Sequence, residues 1–375
     1  VLGVSSLLLL MPVITFANNY DFSDRTGNYV PYDYGWDLLN SADEHAVLFT
    51  SGDNDTFPLW CLQQAYGVRK DVRVVNLSLA NTEWYIKQLH SNLGLRFNLS
   101  DEEIDRLRPF RTTEGTIFKI HHQVIDKIIE DNFKEVPINF SVTVGSDNRR
   151  YRGHSIDSLL SLKGFSWRVN NYPRHLGTDV EEGYEFFMNP DKFRCRGASD
   201  PNVYLDDTSD KLSRNLANGF LVVADTLRKA KDYQRAENLI MRARTLIPKA
   251  TDPIQLLARI YSDQNNIERL KVLTDTCQFD QKEVLYMIQG QTYRRLADDP
   301  KAENVLNQAL NINPAYRPAF DELMRMYLGK KQYTLMRAGI MRWLQFNPND
   351  QQVREIYQQM EKSMGGGDSA VGKSE

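Results

Sequence analysis

Pro314 and Pro348 stand 34 residues apart, and each closes a stretch in which large and small apolar residues recur in the same order. A period of this length means one helix pair repeated, because a single pair cannot bury its apolar face and must stack on a copy of itself. In the unit ending at Pro314, Tyr286, Gly290, Tyr293, Ala302, Leu306 and Ala309 alternate large and small. The unit ending at Pro248 offers Phe220, Ala224, Leu227, Tyr233, Ala236, Ile240 and Ala243 at corresponding places. The unit ending at Pro348 offers Phe320, Met324, Tyr327, Tyr333, Ile340 and Trp343, with Met336 and Trp343 where small residues are expected. A degenerate unit between them carries Leu257, Ala258, Tyr261, Ile267 and Leu270.

Four such units are therefore expected in a repeat domain over 211–363, with Val353–Met360 as a closing helix and a disordered tail over 364–375. The period is that of the tetratricopeptide repeat, in which the first helix of each unit lines a concave face. Register from the prolines puts Arg228, Arg259, Arg294 and Arg325 on that face, with Asp225 and Gln291 among them. A basic groove would favour an acidic peptide or glycan, whereas a solvated helix face would carry the same residues with no ligand.

Upstream, from Tyr32 to about Tyr172 within a domain expected at residues 18–176, strand-like and helix-like stretches alternate, the pattern of a small Rossmann-like α/β layer. Strands are expected at Ala46–Thr50, Val72–Leu79, Ile138–Val144 and Phe165–Val169. Helices are expected at Phe57–Tyr66, Thr82–Leu93, Asp101–Leu107, Ile117–Asp131 and Ser155–Leu162. The first two strands, joined by a helix, should be parallel. Asp53, Asn54, Asp55 and Thr56 then form a loop after the first strand, and Asn76 and Asn81 follow the second, where open α/β sheets place their ligands. The same residue types also serve as helix caps and Asx-turns, with Asn81 a natural N-cap. Residues 177–210, rich in Gly, Pro, Asn and charge, read as a connecting segment packed by Tyr184, Phe186, Phe187 and Phe193.

Several function classes are excluded by composition and spacing. Lys plus Arg (46) nearly balance Asp plus Glu (49), and no basic block occurs, so no nucleic-acid partner is expected. Cys61, Cys195 and Cys277 lie far apart without CxxC spacing, which supports neither zinc nor a disulfide framework. His121 and His122 are adjacent in a helical pattern and should point in different directions, so no metal is assigned. Neither a dinucleotide nor a phosphate-loop glycine fingerprint is present, Ser51 and Ser78 lack nucleophile-elbow glycines, and no cofactor is expected.

Val1–Phe16 is almost wholly apolar. Residues 1–17 read as the end of a transmembrane helix: sixteen residues would cover about 24 Å of a hydrocarbon core of roughly 30 Å, so preceding residues would complete the span. A signal peptide and a buried core helix are the rival readings. No Lys or Arg precedes Arg25 after this run, so positive-inside bias puts the rest on the extracytoplasmic, periplasmic side.

The stretch LFTSGDNDTFPLW (Leu48–Trp60), continued by GVRKDVRVVNLSLANTEWYIKQL (Gly67–Leu89), resembles the C-terminal part of bacterial multi-spanning proteins of the protein O-mannosyltransferase-like family. Val124–Val144 and Leu162–Val169 resemble two further blocks of it, although Cys61 stands where that family tends to an aromatic, and Val136–Phe140 departs from its usual run. The resemblance implies an integral-membrane glycosyltransferase using polyprenyl-phosphate sugars, with its chemistry in a membrane part outside this chain. No catalytic residue is therefore carried onto these positions. The expected partners are that protein's own membrane domain, membrane lipid, and an acceptor protein or peptide in the repeat groove. A membrane-anchored repeat scaffold for envelope assembly, without transfer activity, is the alternative.

Overall fold

The computed structural model describes residues 2–92, 94–112, 115, 117–171, 179–248, 252–277 and 280–365. It divides into two compact units, Val1–Pro253 and Ile254–Glu375. Among the described residues the chain is mostly helical, with sixteen α-helices, a small mixed sheet and a helical-repeat C-terminal region.

The first unit opens with α1 (Leu2–Ser23) and α2 (Val30–Ser41), then β1 (Val47–Thr50), α3 (Asp53–Tyr66), β2 (Arg73–Asn76), α4 (Glu83–Asn92) and α5 (Asp101–Arg106). A ribbon of β3 (Phe110–Arg111) and β4 (Ile117–Phe118) precedes α6 (Ile120–Asn132) and β5 (Ile138–Ser141). A second ribbon, β6 (Arg150–Tyr151) and β7 (His154–Ser155), leads to β8 (Leu160–Lys163), β9 (Ser166–Val169) and α7 (Val180–Met188). The helix pair α8 (Asp207–Lys229) and α9 (Tyr233–Leu246) completes the unit.

The sheet runs β2-β1-β5-β9-β8. β1 is parallel to β2 and β5, while β9 is antiparallel to both β5 and β8. The Rossmann-like expectation thus holds for three strands and is corrected for the other two. Ser155–Leu162 is not a helix: only Asp157–Leu159 makes a 3-10 turn, and Leu160–Lys163 turns back along β9 through Gly164 at φ 56. A local helical pattern lost there to hairpin pairing, which buries Leu160 and Leu162.

The expected 117–131 helix starts at Ile120, because Ile117 and Phe118 pair with Arg111 and Phe110. α2 was not anticipated from VPYDYGWDLLNS, whose Pro31 and Gly35 argue against a helix. Pro31 sits harmlessly in its first turn, and a Cβ on Gly35 would come within 2.8 Å of Leu62 Cδ1 and 3.1 Å of the Pro58 backbone. The 177–210 segment likewise contains α7 and the start of α8. Phe186, Phe187 and Phe193 are buried against Phe165 and Phe220.

α1 holds the apolar run but continues to Ser23 through Asn18, Asn19 and Asp21 instead of ending at 17. No helix among the described residues is long and apolar enough to cross a membrane.

The second unit comprises α10 (Asp252–Asp263), α11 (Ile267–Thr276), α12 (Lys282–Arg295), α13 (Asp299–Ile312), α14 (Arg317–Gly329), α15 (Tyr333–Phe346) and α16 (Gln351–Gly365). The helix pairs share one turn with that of α8 and α9 in the first unit. Lys231, Asn265, Ala297 and Lys331 each adopt a left-handed φ of 54–64°. The next residue's N–H returns to the carbonyl five positions back, at Leu227, Tyr261, Tyr293 and Tyr327 (2.8–2.9 Å). Asp232, Asn266 and Asp298 then cap the second helix of their pairs. The expected small positions Ala236, Ala243, Ala302 and Ala309 are fully buried. In the last pair Trp343 stacks on Phe320 at 4.4 Å, which is how the missing small residue is accommodated. The tail expected from 364 lies outside the described residues beyond Gly365.

Candidate functional site

Gly52, at φ 81 and ψ −174, turns the chain out of β1 directly into α3. Asp53, Asn54, Asp55 and Thr56 therefore form that helix's first turn and not the loop expected from the sequence. Their side chains divide between solvent and core: Asp53 and Asn54 are exposed, Asp55 and Thr56 buried.

Asp55 accepts hydrogen bonds from the Tyr34 hydroxyl, the Thr143 hydroxyl and the Ser51 N–H (3.2 Å). Ser141 Oγ lies 2.9 Å from Thr143 Oγ1. Burial, and then the Asp55 charge, push the Tyr34 hydroxyl well above the usual tyrosine range, so it remains a donor. Thr56 Oγ1 lies 2.7 Å from Thr50 Oγ1 and accepts from Asn76 Nδ2 at 3.0 Å. Asn76 Oδ1 accepts the Ser78 and Leu79 N–H groups (2.8 and 3.0 Å).

The ends of β1, β2 and β5 thus converge, as the parallel arrangement requires. Their polar atoms are used up on one another. Among the described residues the buried side-chain atoms without a partner are Asp37 Oδ2, Asn139 Oδ1, Arg150 Nε, Trp167 Nε1 and Arg242 Nε, none of them in this network. Such an arrangement braces three strands and a helix.

Asn81 does not join this network, and its expected N-cap role is replaced by another. It lies in a 3-10 turn (Leu79–Asn81), its amide donates to Leu77 O and Ser78 O (3.0 and 3.2 Å), and its oxygen faces His121 Nδ1 at 3.1 Å. His121 Nε2 and His122 Nε2 both meet Asn148 Oδ1, at 2.8 and 3.0 Å, with the two rings 4.2 Å apart. The expectation that these neighbours diverge is overturned, because Asn148, in the segment after β5, reaches across both. The Lys119 N–H donates to His122 Nδ1 (3.2 Å), which leaves the proton of a neutral ring on Nε2. Burial lowers both rings' affinity for protons, that of His121 to a pKa of about 4. Paired histidines at a helix start were the available sequence signal; the distant Asn148 was not.

The repeat arginines are partly neutralised. In the first unit Arg228 pairs with Asp225 at 2.9 Å. In the second, Arg294 and Arg325 both bind Glu322, which is 5 % exposed, while Arg259 and Gln291 are exposed. Glu322 went unnoticed in the sequence, since one acidic residue on a helix face carries no signal by itself.

A family profile described as TMEM260-associated domain 2, a membrane-protein-associated domain, matches residues 31–94. No curated protein matches the chain. Among solved structures, a crystal structure of the MamA protein is similar at 18% identity and a TM-score of 0.30, over 41% of this chain and 86% of that one.

Proposed function

We propose that this chain is the partner-binding region of a membrane-associated protein: a braced α/β platform followed by helical repeats that dock another protein. The observation that carries the reading is the surface of α1, where Met11, Val13, Ile14 and Phe16 are all more than half exposed. Apolar side chains at that density on one helix need a covering, and a bilayer supplies one. The match of residues 31–94 to a membrane-protein-associated domain supports the same direction. Repeat helices of this kind use their exposed first-helix faces for protein partners, which fits exposed Arg259 and Gln291.

The resemblance of Leu48–Trp60 to O-mannosyltransferase-like proteins favours a finer version. In it the region lies on the extracytoplasmic side and serves a sugar transferase whose chemistry sits in a membrane part, with the repeats holding the acceptor. The internal saturation of Asp55 and Thr56 agrees with a region that supports such chemistry without performing it.

Flotation on phosphatidylethanolamine–phosphatidylglycerol vesicles tests the reading. The full chain should float, and Ile14→Asp with Phe16→Asp should leave it in the dense fraction; a wild-type chain that does not float overturns membrane association. Removing α10–α16 from the transferase-bearing protein should weaken acceptor use while sparing lipid-sugar binding. Unchanged acceptor use would return the repeats to the scaffold alternative.

A further inference from the structure

A groove of about 780 Å³ opens between α3 and α4 beside β2, an edge strand of the sheet. Its size falls within the usual span of small-ligand sites, about 300–1,000 Å³. The floor is closed. Val74 is 3% exposed, Gln63 Nε2 donates to Val72 O at 2.7 Å, and the Asn76 N–H donates to the Tyr85 hydroxyl at 2.9 Å, which leaves the strand edge little backbone to offer a ligand. The charged end, where β2 begins, is largely spent as well. Asp71 accepts from the Arg69 guanidinium and from the His45 N–H, all at 2.9 Å, and Arg73 donates to His45 O at 2.6 Å.

What stays open in this groove is mostly aromatic and amide. Trp84 is 59% exposed and Trp60 half-buried, and their rings flank Tyr85 at centroid distances of 5.6 and 6.4 Å. The side chains of Gln64 and Gln88 line the groove and are exposed, and among the described residues no protein group meets either amide. The Lys70 ammonium, also exposed, has no ion pair among them.

We infer that this groove binds a neutral oligosaccharide, one pyranose ring lying on Trp84 and its hydroxyls bonded to Gln64 and Gln88. A pyranose presents a face of C–H groups with slight positive charge, which packs on the negative face of an indole. Its hydroxyls both donate and accept hydrogen bonds, as a glutamine amide does. An acidic ligand would have only Lys70 to pair with, and Asp71 beside it would repel. A purely apolar ligand would take water from Gln64 and Gln88 and replace none of their hydrogen bonds. The site belongs to the α/β region, so it is independent of what the repeats hold and of how α1 meets a membrane.

Isothermal titration of the full chain with maltotriose, cellotriose and α-mannotriose tests the inference. At least one trisaccharide should bind saturably, and tetraglutamate should not displace it. Trp84→Ala should weaken binding by about tenfold or more, as for a tryptophan anchor. Gln88→Ala should weaken it by about fivefold, the loss of one hydrogen bond. Both side chains are exposed, so the variants should keep the wild-type melting temperature and still float on vesicles, which separates failure here from failure of the membrane reading. A chain that binds none of the three sugars overturns the inference. So does equal binding by Trp84→Ala, or displacement of the sugar by tetraglutamate.

Discussion

The sheet region and the C-terminal repeats hold their polar groups in different ways. Around the sheet, the partners come from several different elements at uneven separations: Asp55 is held by Tyr34 and Thr143, 21 and 88 positions away, Asn76 by Thr56, 20 away, and Asp43 by Arg168 and Lys163, 125 and 120 away. In the repeats, the bonds between helix pairs join neighbours about one repeat apart, as in Ser262 with Thr292, Glu283 with Asn313, and Arg294 with Glu322. One lost side chain should therefore loosen several elements in the first case and only adjacent helices in the second.

The sharpest way to break this comparison is Asp55→Ala. It strips the acceptor from buried Tyr34 and from Thr143 and should cost about 4 kcal/mol in chemical denaturation, whereas Asp53→Ala, at an exposed position, should stay within about 0.5 kcal/mol. If Asp55→Ala is as mild as Asp53→Ala, the network is not a brace and the carboxylate is available for a ligand. In the repeats, Glu322→Ala leaves Arg294 and Arg325 without their shared partner. It should cost about 2 kcal/mol, less than removal of a fully buried pair because both arginines reach solvent. Hydrogen exchange should speed up in α12–α14 and not in α10; uniform acceleration would refute nearest-neighbour behaviour.

A pH titration sharpens the sheet side. The folded His121 pKa of about 4 lies below its ordinary value near 6.5, so the unfolded chain binds the proton first. Stability from this group is complete above about pH 6.5 and is lost as pH falls toward 4, by about 1–2 kcal/mol after allowance for partial solvent screening. Melting temperatures of His121→Gln should converge with those of the wild type as pH drops through that window; parallel curves would mean that the ring does not control it. A small effect of the opposite sign is expected at a repeat turn. Ala297 holds a left-handed φ of 58°, and Ala297→Gly should stabilise by about 0.5–1 kcal/mol in thermal melts.

How much was legible follows the same division. The repeat pattern announced itself because tight helix pairs select small residues at fixed intervals, and Ala302, Leu306 and Ala309 are buried where the period put them. The four strands expected in the sheet exist, and Asn76 does meet Thr56. Missed were α2, whose Gly35 serves a close contact with Pro58 on another helix, and β8, whose pairing with β9 outweighed a local helical pattern. The Asp53–Thr56 segment showed its polar chemistry but not its helical conformation, since Gly52's left-handed turn starts the helix earlier than Pro58 suggests.

By itself, the sequence determined what depends on neighbours along the chain: periodic helix pairs, apolar strand runs, and the apolar opening helix. Only the tertiary structure decided that Asp55 faces Tyr34 and Thr143, that His121 and His122 share Asn148, and that Glu322 gathers two arginines. The reason is range. Propensity and periodicity act over a few residues, whereas a buried polar group must find whichever partner the packed chain brings within hydrogen-bond distance, and that partner can lie anywhere in the sequence.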